Sequence, residues 1–297
     1  MQHKETQSLS VLIASLYGEG TTIKSRMPVS GGDINEAYLL TLSNGAHAFL
    51  KTNRGKSAEF FAAEAAGIDS LEATATIGTV HVLGYGAENG DAFLLLDYVA
   101  GAKRIPDFWE VFGHELAELH LADTSSFVPN GCFGFASDNY IGATRQINTP
   151  CDTWIDFYRR YRLEVQFRMA EGYFDETARS RIRRLLDNLD DLLIEPEQPS
   201  LLHGDLWGGN FMVGDNGKAI LIDPAVYVGH PEADLAMTEL FGGFHAAFYD
   251  AYKTRKPLQP GYADRRDLYH LYQLLNHLNL FGGSYYGSVM RILNHYT

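Results

Sequence analysis

Two carboxylates and a carboxamide in the last third of the chain carry a spacing that points to phosphoryl transfer from ATP. The run His203-Gly204-Asp205-Leu206-Trp207-Gly208-Gly209-Asn210 is followed, thirteen residues after its Asn, by the Asp of Ile222-Asp223-Pro224. A phosphoryl group in flight spreads negative charge over oxygens that a metal must neutralise, while the accepting hydroxyl needs a proton acceptor close by. Asp205 suits the acceptor, and Asn210 and Asp223 suit the metal. His203, two residues before the expected base, is better used to hold the loop by hydrogen bonding than to titrate, since the chemistry already has its carboxylate. Trp207 offers either a flat apolar face to a substrate or an ordinary packing side chain.

These groups need rigid supports. Residues 201–202, 211–213 and 218–222 read as short strands around the loop, with Asp215-Asn216-Gly217 as the turn of a hairpin. Upstream, residues 36–42 and 46–51 read as a strand pair closed by Ser43-Asn44-Gly45. A helix follows, with Ser57 as cap and Phe60, Phe61, Glu64 and Ile68 at helical spacing. Lys51, placed at the end of its strand and thirteen residues before Glu64, has the order expected of a cation that grips nucleotide phosphates and a carboxylate that orients it. Alone, a strand-end Lys would be a solvated edge; upstream of Asp205, Asn210 and Asp223 it gains a role.

Weaker signals surround this set. Gly31 and Gly32, in Ser30-Gly31-Gly32-Asp33-Ile34-Asn35, would let backbone N–H groups approach phosphate oxygens, although an ordinary glycine turn has the same composition. Asp97, Tyr98 and Val99 are assigned to nucleotide binding by position, where a buried strand ends and backbone groups could pair with adenine. Asp234 opens a helix and is either a helix-start acid or an acceptor for the backbone of the catalytic loop. His270 and His277 share a helix face without a third ligand nearby in sequence, which does not suggest zinc.

A chain of 297 residues with 45% hydrophobic content suits two packed lobes or one large domain. Thirty-seven acidic against 24 basic residues, a formal charge of -13, disfavours nucleic-acid binding and tolerates a cationic substrate. Cys132 and Cys151 have no metal-ligand spacing and read as free thiols in a reducing compartment. The N-terminus lacks the pattern of a secretory signal, and the longest apolar run, residues 92–96, is too short to span a bilayer. A cytoplasmic protein without membrane attachment is expected. The strand-rich first third and the helical periodicity from residue 106 onward predict an α+β architecture. Its N-terminal nucleotide-binding lobe, residues 1–98, has an antiparallel sheet with one main helix, and its catalytic and substrate lobe, residues 99–297, is mostly helical.

The chain resembles the fructosamine kinase (ketosamine-3-kinase) family, within the aminoglycoside phosphotransferase and protein-kinase-like fold. The resemblance is most specific from His203 to Phe244, through Trp207, Asp223-Pro224-Ala225-Val226-Tyr227 and Asp234-Leu235-Ala236-Met237-Thr238-Glu239-Leu240-Phe241-Gly242-Gly243. Phe133-Gly134-Phe135 and Asp138-Asn139-Tyr140-Ile141-Gly142 add to it. It implies a bilobal kinase fold, Asp205 as proton acceptor, Lys51 and Glu64 as the phosphate-gripping pair, Asn210 and Asp223 as Mg2+ ligands and residues 97–99 as the adenine contact. The implied reaction uses ATP to phosphorylate carbon 3 of ketosamines, either small molecules or glycated protein amines, and leads to deglycation. Eukaryotic relatives often carry Cys where this chain has Asp33, so a redox switch there is not expected.

Other readings stay open. A protein kinase with a regulated loop has little room, because only eight residues separate Asp223 from Glu232. A kinase of aminoglycosides, choline or amino-sugars shares the His-Gly-Asp and the Asn. A silent nucleotide-binding scaffold would be expected to have lost some member of Lys51, Glu64, Asp205, Asn210 and Asp223.

Overall fold

The computed structural model describes residues 5–6, 8–30, 34–129 and 131–297. Gly31 and Gly32, expected near phosphate, lie outside the described residues, as does Asp33. The chain divides into two compact units, Met1–Phe108 with Met212–Asp223, and Trp109–Phe211 with Pro224–Thr297.

The first unit is built on a six-stranded sheet. Its elements are β1 (Glu5–Thr6), α1 (Leu9–Tyr17), β2 (Ile23–Pro28), β3 (Glu36–Leu42), β4 (His47–Arg54), α2 (Ala58–Ala73), β5 (Gly78–Thr79), β6 (Val82–Glu88) and β7 (Asp91–Asp97). The strand order is β1-β6-β7-β4-β3-β2, antiparallel except for the β1–β6 pair. The β3–β4 turn closes as its sequence predicts: Gly45 takes a φ of 89°, and the Asn44 side chain accepts from the Ala46 N–H at 3.0 Å. Strand alternation then sorts the side chains. Leu40, Leu42, Ala48, Leu50, Phe93 and Leu95 pack with Leu9, Leu12 and Ile13 of α1, a helix the sequence reading did not include. Lys51, one residue out of phase with Leu50, is thereby sent to the opposite face. It sits inside β4 rather than at a strand end, since pairing with β7 continues to Arg54.

The boundary expected between residues 98 and 99 falls inside this unit, which also takes back residues 212–223. The cause is a nonlocal pairing. In the hairpin of β11 (Phe211–Val213) and β12 (Ala219–Leu221), β12 runs parallel to β5, with Ile220 opposite Gly78 and Leu221 opposite Thr79.

The second unit is mostly helical. It holds α3 (Phe108–Leu121, counted from Trp109), β8 (Asn139–Ile141), β9 (Thr144–Gln146), α4 (Trp154–Tyr158), α5 (Glu164–Met169), α6 (Glu176–Asp187) and α7 (Leu189–Leu192). After β10 (Ser200–Leu202) and the catalytic loop, the chain re-enters at β13 (Tyr227–Gly229) and ends in α8 (Glu232–Leu240), α9 (Ala246–Arg255), α10 (Tyr262–Phe281) and α11 (Tyr286–Tyr296). A π-helical turn, Arg159–Leu163, joins α4 to α5. Strands β10 and β13 pair antiparallel, Leu202 opposite Tyr227, so the segment that follows Asp223 lies beside the start of the catalytic loop. Among the described residues, no helix is long and apolar enough to cross a membrane.

Candidate active site

In the first unit, Lys51, Glu64 and Asp223 come together. Period two aims Lys51 of β4 toward α2, whose buried Phe60, Phe61, Ala65 and Ile68 fix the helix against the sheet and leave Glu64 facing the strand. The Lys51 ammonium lies 2.6 Å from Glu64 Oε1 and also donates to Asp223 Oδ1. Burial alone would lower the Lys51 pKa, but the two carboxylates outweigh it and raise the value, so the group stays cationic. The Glu64 carboxyl is pushed up by burial against the opposing pull of Lys51. One ammonium facing two carboxylates leaves net negative charge, and Asp223 keeps 43% side-chain exposure. Asp223 also holds a φ of 55°, a left-handed conformation rare for a residue with a side chain, and such local strain concentrates at functional sites.

The expected nucleotide segment also belongs to this unit. Asp97 ends β7, its N–H donating to the His81 carbonyl at 3.0 Å, and Tyr98 and Val99 follow as irregular chain. Tyr98 is 38% exposed and meets His47 edge-on at 5.8 Å.

In the second unit, the loop from His203 to Asn210 is held from within and from behind. Asn210 is buried, and its Nδ2 donates to the Asp205 carbonyl at 2.7 Å and to Asp205 Oδ2 at 3.1 Å. With the amide nitrogen committed, Oδ1 is the atom Asn210 can offer a cation. The Asp205 N–H donates to Nδ1 of the buried His203 at 3.2 Å. Asp234, an acid in the first turn of α8, accepts the His203 and Gly204 N–H groups at 2.7 and 2.8 Å. Burial would raise the Asp234 pKa, but hydrogen bonding and charge from His120 overcome it and the carboxyl lies below its usual value. Gly204 takes a φ of 83°, and a Cβ there would stand 2.1 Å from the Ala225 carbonyl oxygen; only glycine lets the loop lie against that strand.

Trp207 is 38% exposed. Its indole lies over Gly209, where a Cβ would meet the ring at 2.4 Å, and it faces Phe241 edge-on at 6.1 Å. The ring is therefore presented at the surface of the loop rather than buried beneath it.

The sequence reading passed over His120. It is fully buried on α3, with Nε2 3.2 Å from Asp234 Oδ2 and Nδ1 2.8 Å from the Tyr252 hydroxyl. Its signal was present: Phe108, Phe112, Leu116 and His120 recur every four residues, and a polar group on an apolar stripe needs a partner.

Residues 5–297 match the fructosamine kinase family. The chain belongs to that family. A chloroplastic protein-ribulosamine 3-kinase of Arabidopsis thaliana is 38% identical over 285 residues, 94% of this chain and 84% of the relative. A Haemophilus somnus crystal structure provisionally named fructosamine-3-kinase superposes with a TM-score of 0.87 at 28% identity, covering 97% of this chain and 96% of that one. A macrolide 2'-phosphotransferase from Brachybacterium faecium shares the fold alone, with a TM-score of 0.60 at 15% identity over 97% of this chain and 98% of its own. As a fructosamine kinase family member the chain is an ATP-dependent kinase of α+β, protein-kinase-like fold.

Proposed function

We propose that this protein transfers the γ-phosphoryl group of ATP to the carbon-3 hydroxyl of ketosamines, fructosamine or ribulosamine adducts, and that the product's instability makes the reaction a deglycation step. The observation that carries this reading is the family match over residues 5–297, with every polar group the chemistry needs present. The substrate is a small ketosamine or a glycated protein amine.

Each residue acts through its own chemistry. Lys51, kept charged by its carboxylates, grips phosphate oxygens, and Glu64 holds its ammonium in place. Residues 97–99 supply backbone groups to the adenine. The carboxylate of Asp223 and the carboxamide oxygen of Asn210 are each hard oxygen donors of the kind Mg2+ takes, and the net negative charge beside Asp223 favours a divalent cation. When bound, Mg2+ neutralises charge on the phosphate oxygens. A sugar hydroxyl is far too weak an acid to be deprotonated beforehand, so Asp205 orients it and takes its proton late, after the oxygen has begun to bond phosphorus. Trp207 offers its ring to the apolar face of the sugar or to the amine substituent, where a cationic amine gains from the ring's electrons. His203 and Asp234 keep the loop in shape.

The test is ADP release with ATP, Mg2+ and a panel of ribulosamine, fructosamine and an aminoglycoside. Turnover is expected with the ketosamines; turnover with the aminoglycoside alone would overturn the reading.

A further inference from the structure

We infer that Arg162 is a positioning residue for the transfer reaction, setting the direction of a buried amide chain that clamps the backbone behind the catalytic loop. The inference rests on the kinase reading above. Arg162 is fully buried, and among the described residues it forms no ion pair. Its guanidinium lies over the rings of Tyr227 at 4.1 Å, Phe157 at 4.5 Å and Tyr272 at 5.6 Å. One nitrogen, Nη1, donates to the carbonyls of Ile147 and Tyr161 at 2.8 and 3.0 Å; the other, Nη2, donates to Asn148 Oδ1 at 2.8 Å. Removing a guanidinium from water without a carboxylate partner costs several kcal/mol, more than an apolar side chain of similar volume would. Those hydrogen bonds and ring contacts offset part of that cost, but burial alone gives no reason for an arginine here.

Polarity does. Asn and Gln amides can turn end for end, whereas a guanidinium only donates. Because Arg162 demands the oxygen of Asn148, the Asn148 nitrogen must face the other way, and it donates to Asn139 Oδ1 at 2.9 Å. Asn139 then turns its nitrogen to the Val226 carbonyl at 2.7 Å. Gln146, whose oxygen is claimed by the Tyr272 hydroxyl at 2.7 Å, donates to the same Asn139 oxygen at 2.8 Å and to the Ala225 carbonyl at 3.0 Å. The chain of amides thus ends on two consecutive carbonyls of the segment after Asp223. That segment carries the loop: the Ala225 N–H donates to the His203 carbonyl at 2.9 Å, and Gly204 lies directly against the Ala225 oxygen. A shift at Ala225 is a shift at Asp205. The π-helical turn Arg159–Leu163 contains Arg162 and changes the helix phase where the guanidinium must reach inward, a common use of such turns.

The experiment measures kcat and KM for ATP and for the ketosamine in Arg162→Met, Arg162→Lys, Asn139→Leu and the Met/Leu double variant, alongside melting temperature. Arg162→Met is expected to lose about 10²-fold in kcat through misplacement of the loop. Its KM for ATP should move by less than about threefold, while its melting temperature falls, because the Ile147 and Tyr161 carbonyls and Asn148 Oδ1 lose their donor. Arg162→Lys, still a donor without an acceptor, should recover about tenfold of the loss. The double variant should be no worse than the poorer single within about twofold, because both cut one chain. Wild-type kcat in Arg162→Met, no advantage of Lys over Met, or multiplying effects in the double variant would each overturn the inference. If the Met variant does not fold, Asn139→Leu decides: reduced kcat supports the clamp and wild-type kcat removes it. Failure of the wild type to phosphorylate any ketosamine would instead sink the functional reading.

Discussion

Asp205 illustrates how one side chain is made useful by its neighbours. Its backbone N–H is taken by His203, and one carboxylate oxygen accepts from Asn210, so the carboxylate is oriented before any substrate arrives. Asp205→Asn keeps the shape and removes the proton acceptor. Its kcat should fall on the order of 10²–10⁴-fold, with the KM for ATP little changed, as read by steady-state ADP release. Trp207, lying exposed on Gly209, makes a separate prediction. Trp207→Ala should raise the ketosamine KM by about 3- to 10-fold, the equivalent of about 0.5–1.5 kcal/mol of ring contact, and leave the KM for ATP alone. Equal weakening of both substrates would argue that the indole is only structural.

At the scale of elements, Gly204 and Gly208 of the loop make opposite predictions. Gly204→Ala meets both a left-handed backbone and the Ala225 carbonyl, and should destabilise the fold by about 2–5 kcal/mol in chemical denaturation. Gly208 has nothing within 4 Å of a Cβ, and Gly208→Ala should stay within about 0.5 kcal/mol of wild type. The same contrast explains what could be read in advance. The β3–β4 hairpin, α2 and the strands around the loop were legible because Asn-Gly turns, alternation and helical spacing are local. Lys51 and Glu64 were legible as an order of residues, but their meeting with Asp223 depends on β12 pairing with β5, about 140 residues away along the chain, for which no local signal exists. Arg162 was invisible for a different reason. A charge in a helix reads as a solvated face, and the π turn that brings it inside leaves no mark in the periodicity.

Across the whole molecule, buried histidines tie stability to pH. The His230 imidazole is pushed down to about 3, first by burial and then by the Arg265 charge, and burial also lowers His120. His230 is neutral in the folded protein near pH 7. A folded pKa below the unfolded value of 6.5 contributes stability that is fully present above pH 6.5 and is lost as pH falls toward about 3. At pH 5.0 His230 alone should cost about 2 kcal/mol relative to pH 7.5, from 1.5 pKa units at about 1.36 kcal/mol each. Urea unfolding at the two pH values checks this, and His230→Gln should flatten the difference.

The proposed reaction is transfer of a phosphoryl group to the carbon-3 hydroxyl of a ketosamine. Its most direct test is phosphorus-proton correlation NMR of the product formed from ribulosamine or fructosamine with ATP and Mg2+. Coupling of the new phosphorus to the carbon-3 proton is the predicted result; coupling to another position, or no phosphorylated ketosamine at all, would contradict it.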